Sequence, residues 1–313
     1  MWQKKGLIFC TDNNYEWMVS HASVPVAMNL HNGNIRIYFA PRNSKGQSIP
    51  SFIDVSGDNP AEVKYIHDKP ILVPGKRGTF DDSGIMPCSV IENDKRIYLY
   101  YVGWNQGVSV PYRNAIGLAV STDGGDNFER LFEGPVVDRN RREPYFTASP
   151  FVYKDEHTWH MWYASSTGFL IVNERPEPLY VIKYAFSADG IEWIRDNITC
   201  INPKSEFEAN ARPSVIKEDG LFKMWFTFRG SFDYRDGKDS YRIGYAVSED
   251  GKNWKRMDEL AGINVSGKGW DSKMITYPCV LPYEGKKYLF YNGNGFGRSG
   301  IGYAIWQDEK AGK

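Results

Sequence analysis

Val24-Pro25-Val26-Ala27, Met86-Pro87-Cys88-Ser89-Val90, Ser149-Pro150-Phe151-Val152, Arg212-Pro213-Ser214-Val215 and Tyr277-Pro278-Cys279-Val280 decide the fold of this chain. Each is a proline followed by a short strand-forming run, and the prolines stand 62, 63, 63 and 65 residues apart. A fixed period of this length marks a repeat architecture, in which each copy is one supersecondary unit. A second, aromatic-rich run follows each proline: Ile35 to Phe39, Ile97 to Tyr101, Trp159 to Tyr163, Phe222 to Phe226 and Tyr288 to Tyr291. A third recurs as Ile116-Gly117-Leu118-Ala119, Ile182-Lys183-Tyr184-Ala185, Ile243-Gly244-Tyr245-Ala246 and Ile301-Gly302-Tyr303-Ala304. Ser-x-Asp-Gly turns then run from Ser121 to Phe128, Ser187 to Trp193 and Ser248 to Trp254, with a weak version at Ser56-Gly57-Asp58. Asp and Gly supply the turn chemistry, and the closing aromatic begins a fourth strand.

Five units of four strands, without helical periodicity, predict an all-β fold: a five-bladed β-propeller with four-stranded blades. A β-sandwich pair or a β-helix is the alternative. The units start near 20, 82, 145, 208 and 273 of a single domain spanning 1–313. The fifth unit stops after its third strand near Trp306, so the segment 2–9, which resembles the fourth strands, is expected to close blade five and the ring.

The 313 residues carry 38 Lys+Arg against 38 Asp+Glu. That balance argues against a nucleic-acid partner, which asks for a clustered basic excess. Hydrophobic residues at 42% and charged residues at 24% are globular values. The aromatic share of 15% and the 30 glycines fit strands joined by turns. Met1 to Cys10 holds only a four-residue apolar run, and no stretch approaches a membrane span, so neither a secretory leader nor a membrane partner is expected. Cys10, Cys88, Cys200 and Cys279 lie far apart without a CxxC pattern, which predicts free thiols and a cytoplasmic location.

In a propeller the first strand of each blade lines the central channel, so polar residues just before the motif prolines should converge on one site. The candidates for acid/base work are Glu143, Asp82, Glu208 and His21. Two carboxyls with different protonation states are what cleavage of a glycosidic bond requires. Asp81 and Asp271 each follow an aromatic residue and read as strand caps. Arg42, Arg212, Arg229 and Asn292 are expected to hold substrate, and Trp104 and Tyr145 to stack on a sugar face. Arg212 stands where the other units have Val24, Met86, Ser149 and Tyr277, so its charge needs a partner: a ligand or Glu208. Nucleotide-binding glycine loops, HExxH and GxSxG motifs do not occur.

The proline-centred first strands, the Ile-Gly-Tyr-Ala strands and the Ser-x-Asp-Gly-x-x-Trp turns resemble the five-bladed β-propeller glycoside hydrolase superfamily. That group includes arabinanases, xylosidases, invertase-type fructosidases and mannoside phosphorylases. The resemblance covers essentially the whole chain, but its motifs are architectural. In the arabinanases and invertases an Asp precedes the first-blade proline, whereas here the segment reads His21-Ala22-Ser23-Val24-Pro25. The Arg-Asp-Pro and Glu-Cys motifs of invertases do not occur either.

The resemblance therefore implies a carbohydrate-active enzyme of glycoside hydrolase type acting on a short oligosaccharide or sugar intermediate, such as one from surface-polysaccharide synthesis. Glu143 would be the general acid, with Asp82 or Glu208 the base. A glycan-binding propeller without catalysis, or a sugar lyase, cyclase or transferase rebuilt around His21, are the alternatives. No cofactor is expected apart from a calcium ion in the central channel, which such propellers can hold and for which no ligand spacing is evident.

Overall fold

Each motif proline sits at a β-bulge in the inner strand of its blade. The register slips between Ser23 and Val26, Pro87 and Ser89, Ala148 and Phe151, Ala211 and Ser214, and Thr276 and Cys279. Proline has no N–H to give, so a bulge, where the ladder is already interrupted, accommodates it. The preceding residues Val24, Ser149, Arg212 and Tyr277 have φ of 58°, 48°, 50° and 55°, the left-handed region that non-glycine residues seldom adopt. The kink recurs in four blades and turns these side chains inward.

The computed structural model describes residues 1–307. Five separate sheets, each of four antiparallel strands, make the blades, and the only helical element among the described residues is the short turn Asp258–Leu260. Blade one is Ser20–Asn29, Asn34–Arg42, Ser51–Ser56 and Val63–Ile66. Blade two is Gly84–Asn93, Arg96–Gln106, Tyr112–Ser121 and Glu129–Arg130. Blade three is Thr147–Lys154, Trp159–Val172, Arg175–Ser187 and Thr199–Ile201. Blade four is Ala209–Glu218, Leu221–Arg229, Arg242–Ser248 and Lys255–Arg256. Blade five is Thr276–Tyr283, Lys286–Asn292 and Ile301–Trp306, and Trp2–Phe9 is its outer strand. The pairing runs from Trp2 opposite Trp306 to Phe9 opposite Ile301, so the chain ends close the ring as expected.

The blades lock to one another by a repeated hydrogen bond. The second strand of each blade sends a buried aromatic donor to a carbonyl near the outer turn of the next. Tyr38 Oη donates to Gly125 O at 3.1 Å, Tyr100 Oη to Gly190 O at 2.7 Å and Trp162 Nε1 to Gly251 O at 2.7 Å. Trp225 Nε1 donates to Ala261 O at 3.2 Å, and Tyr288 Oη to Gly57 O at 2.8 Å, which completes the circle. The Ser-x-Asp-Gly turn is built for this contact. A Cβ on Gly125 would stand 2.1 Å from the Tyr38 hydroxyl, and its φ of 90° suits glycine. Burying these large rings between sheets supplies the apolar stabilisation that open sheets alone lack.

Candidate functional site: an arginine- and tyrosine-lined cavity on the axis

Four of the five inner strands present small side chains to the centre, the fifth presenting Tyr277. Ser23, Cys88, Ala148 and Ala211 leave space that larger residues would fill, and a cavity of about 430 Å³ results. It is lined from every blade: Arg42 and Ser48 from blade one, Trp104 and Asn114 from two, Phe146 and Tyr180 from three, Arg229 and Tyr241 from four, Tyr277 and Phe296 from five. No Asp, Glu or His is among the lining residues.

One wall is a network of tyrosines and arginines. The Arg229 side chain is fully buried; its Nε donates to Tyr180 Oη and Tyr241 Oη, both at 3.1 Å, and its Nη groups to Pro178 O at 2.6 Å and Gly230 O at 2.8 Å. Its guanidinium carbon lies 3.9 Å from the Tyr234 ring centre, and that of Arg235 lies 4.5 Å away. Glu177 holds this wall in place. It accepts from Tyr234 Oη at 2.6 Å and from both Nη groups of Arg235 at 2.6 and 3.0 Å. Burial alone would raise the Glu177 carboxyl, but these donors hold it below the ordinary carboxylate range. Burial pushes the phenols of Tyr112 and Tyr241 far up and that of Tyr277 up to about 12, so all three are neutral donors. Across the cavity, Trp104 Nε1 donates to Ser48 Oγ at 2.8 Å, while the Asn114 amide oxygen is buried without a partner.

Of the residues expected at the site, Arg42, Trp104 and Arg229 line the cavity. Tyr145 does not: it is 42% exposed with its ring against Phe169. Asn292 is fully buried and spends its amide on Ala22 O, Gly300 O and Val24 N, each at 2.8 Å, stitching blade five to blade one. Arg212, 1% exposed, reaches across the axis from blade four to Cys88 O at 2.6 Å and Pro25 O at 3.0 Å. Its partners are thus backbone carbonyls rather than Glu208. His21 bonds Ser20 Oγ through Nδ1 at 2.9 Å, and burial together with the positive fields of Arg42 and Arg298 lowers its imidazole to about 4.

The acids fall into a pattern that the sequence concealed. Asp81 accepts from Tyr101 Oη at 3.1 Å and Arg130 Nε at 2.8 Å. Glu143, 2% exposed, accepts from Tyr163 Oη at 3.0 Å and Arg195 Nη1 at 3.4 Å. Glu208 takes Arg256 Nη1 at 2.5 Å, with Phe226 standing where blades two, three and five have tyrosine. Asp271 takes Tyr291 Oη at 3.0 Å and Lys4 Nζ at 2.6 Å. Each ties the entry of an inner strand to a base on or beside the outer strand of the same blade. Glu143 and Glu208 therefore occupy a repeated structural position instead of facing the cavity as an acid and base pair. Asp82 differs, since among the described residues it pairs with no basic side chain and accepts only from Gly78 N and Ser83 Oγ, each at 2.8 Å. It sits on the loop leading into Gly84, which pairs with Trp104.

The Arg212 guanidinium places positive charge between blades one, two and four, and no group of three or more His, Cys, Asp or Glu among the described residues could hold a metal ion. Sequence reasoning missed Glu177, Tyr180, Tyr234, Arg235 and Tyr241. The usable signal is that the Trp159–Val172 and Arg175–Ser187 strands form a hairpin longer than in the other blades, and that Arg229-Gly-Ser-Phe-Asp-Tyr-Arg235 is rich in groups that bind anions and rings.

No protein-family model matches the chain. It is 37% identical to Uncharacterized protein Rv1502 of Mycobacterium tuberculosis over 309 residues, 98% of this chain and 99% of that protein. It is 27% identical to a 1,2-beta-oligomannan phosphorylase of Thermoanaerobacter over 196 residues, 62% of this chain and 59% of the enzyme. Among solved structures, one described as a glycoside hydrolase superposes with a TM-score of 0.74 at 16% identity, over 99% of this chain and 93% of that one. A thermostable family-43 glycoside hydrolase gives 0.65 at 17%, over 95% and 93%. The chain thus shares its propeller fold with solved structures described as glycoside hydrolases.

Proposed function

Starting from a chain that belongs to the family of Mycobacterium tuberculosis Rv1502, we propose a carbohydrate-active enzyme that works on a short sugar held in the axial cavity. The observation that carries this reading is the cavity itself: about 430 Å³, lined from all blades, with rings for a sugar face and hydrogen-bonding groups for hydroxyls. Trp104 and Phe146 supply apolar faces, Tyr112 and Tyr277 donate, and the free Asn114 amide oxygen accepts. The lining itself holds no carboxylate or imidazole, so proton transfer is assigned to Asp82, which has no basic side-chain partner among the described residues and stands on the loop beside the lining residue Trp104, with the neutral His21 as the second candidate. The partial likeness to an oligomannan phosphorylase makes β-1,2-linked mannosides the first substrates to try. All four cysteines are free thiols, which supports a reducing, cytoplasmic setting, and no helix among the described residues is long and apolar enough to cross a membrane.

The test is an NMR time course of the purified chain with β-1,2-mannobiose and a panel of short neutral and acidic oligosaccharides, each with and without inorganic phosphate. New anomeric signals are expected, and Trp104→Ala is expected to slow their appearance at least tenfold without lowering Tm by more than a few degrees. A free reducing sugar marks hydrolysis; a glycosyl phosphate formed only with phosphate present marks phosphorolysis. No turnover anywhere in the panel would overturn the enzyme reading.

A further inference from the structure

The cavity carries more positive charge than the carboxylate bonded at its wall offsets. Arg42, Arg229 and Arg235 line it, and among the described residues the one carboxylate bonded to any of them is Glu177, on Arg235. Arg229 is 1% exposed and, among the described residues, has only phenols, carbonyls and a serine hydroxyl for hydrogen-bond partners, the Glu177 carboxylate acting on it through space while bonded to Tyr234 and Arg235. The Arg42 guanidinium, half-buried at the opposite side, makes no side-chain hydrogen bond or ion pair among the described residues. Beneath them Arg212 adds a further guanidinium matched only by two carbonyls, with its Nε unpartnered. A buried charge without a counter-ion is costly, so a site that keeps several of one sign is built around a ligand of the other.

We propose that the cavity takes an acidic sugar: a glycosyl ring bearing its own phosphate or carboxylate group. Guanidinium forks match such oxyanions bidentately. The two charged sides belong to blades one and four, with Trp104, Phe146 and Tyr277 contributed by the blades between and around them. A ligand that reaches both a charged side and the aromatic rings needs a ring as well as an anion, which a bare phosphate lacks. The low imidazole of His21 reports the same positive field, since Arg42 and Arg298 both depress it.

This inference rests on the reading of the cavity as a sugar site, and titration calorimetry separates the two. The ligands are a neutral hexose, the hexose 1- and 6-phosphates, a hexuronate and inorganic phosphate, each at low and at raised salt. The expected result is that at least one acidic sugar binds tenfold or more tightly than both the neutral hexose and phosphate, and weakens with salt. Arg42→Gln should cut that affinity at least tenfold, and Arg42→Lys should restore part of it. Because the Arg42 side chain holds nothing in the fold, an unchanged Tm should accompany the loss. Neutral hexose binding as tightly as the acidic sugars would overturn the inference and leave the sugar site standing. Inorganic phosphate matching the sugar phosphates would overturn it too, by showing that the anion enters alone. No binding by any sugar would remove both readings.

Discussion

His21 shows how the axial charge reaches a single residue. Its imidazole is lowered to about 4, first by burial and then by Arg42 and Arg298. The folded protein keeps it neutral, whereas the unfolded chain protonates it near its ordinary value of about 6.5. The unfolded state therefore binds more protons between those values, and the stability His21 allows is full above pH 6.5 and is lost as the pH falls toward 4. His21→Gln should flatten that decline: the drop in Tm between pH 7 and pH 4.5 is expected to be smaller in the variant than in the parent. Equal drops would show that His21 does not titrate against the arginines. A lone histidine just before a motif proline is visible in the sequence. Its field is not, because Arg298 is distant in the chain and arrives only when blade five meets blade one, where Ala22 N donates to Gly297 O.

Among the elements, the entry segment of each inner strand has a job that its residues did not announce. Glu143 is gripped by Tyr163 and Arg195 as Asp81 is by Tyr101 and Arg130. Glu143→Gln leaves Arg195 without its anion, so the loss of stability is expected at about 1–3 kcal/mol, read as a lower midpoint in urea. Turnover per folded molecule should stay within about threefold. Lost turnover with an unchanged midpoint would return Glu143 to the role of general acid. Aspartates after an aromatic read as caps in the sequence, yet Glu143 and Glu208 looked free. The four acids stand 6, 7, 5 and 7 residues before their prolines, so the repeat is blurred there. The tyrosine partner lies about twenty residues away on the next strand, and only the pairing of strands brings it near. The strands and turns themselves were legible because alternation, proline and Asp-Gly act within a few residues.

For the whole molecule, the ring depends on its first strand. Trp2 packs edge-on against Trp225 and Trp306 at 5.6 and 5.0 Å, and Lys4 supplies the base that Asp271 needs. Removing residues 2–9 leaves blade five with three strands and exposes the edge Ile301–Trp306. The truncated chain is expected to unfold at a lower urea concentration and to self-associate through that edge, seen as a larger species in size-exclusion chromatography. A monomer of parental stability would show that closure by this strand is dispensable. The number of blades, their strands and the closing role of the N-terminal strand were determined by the sequence alone, because each follows from a local pattern repeated at a constant period. The cavity, its unbalanced positive charge and the bonding of the acids to bases of their own blades were decided only by the tertiary structure. Arg212 meets carbonyls 124 and 187 residues away, and no local pattern records which side chains of five distant strands face one another at an axis.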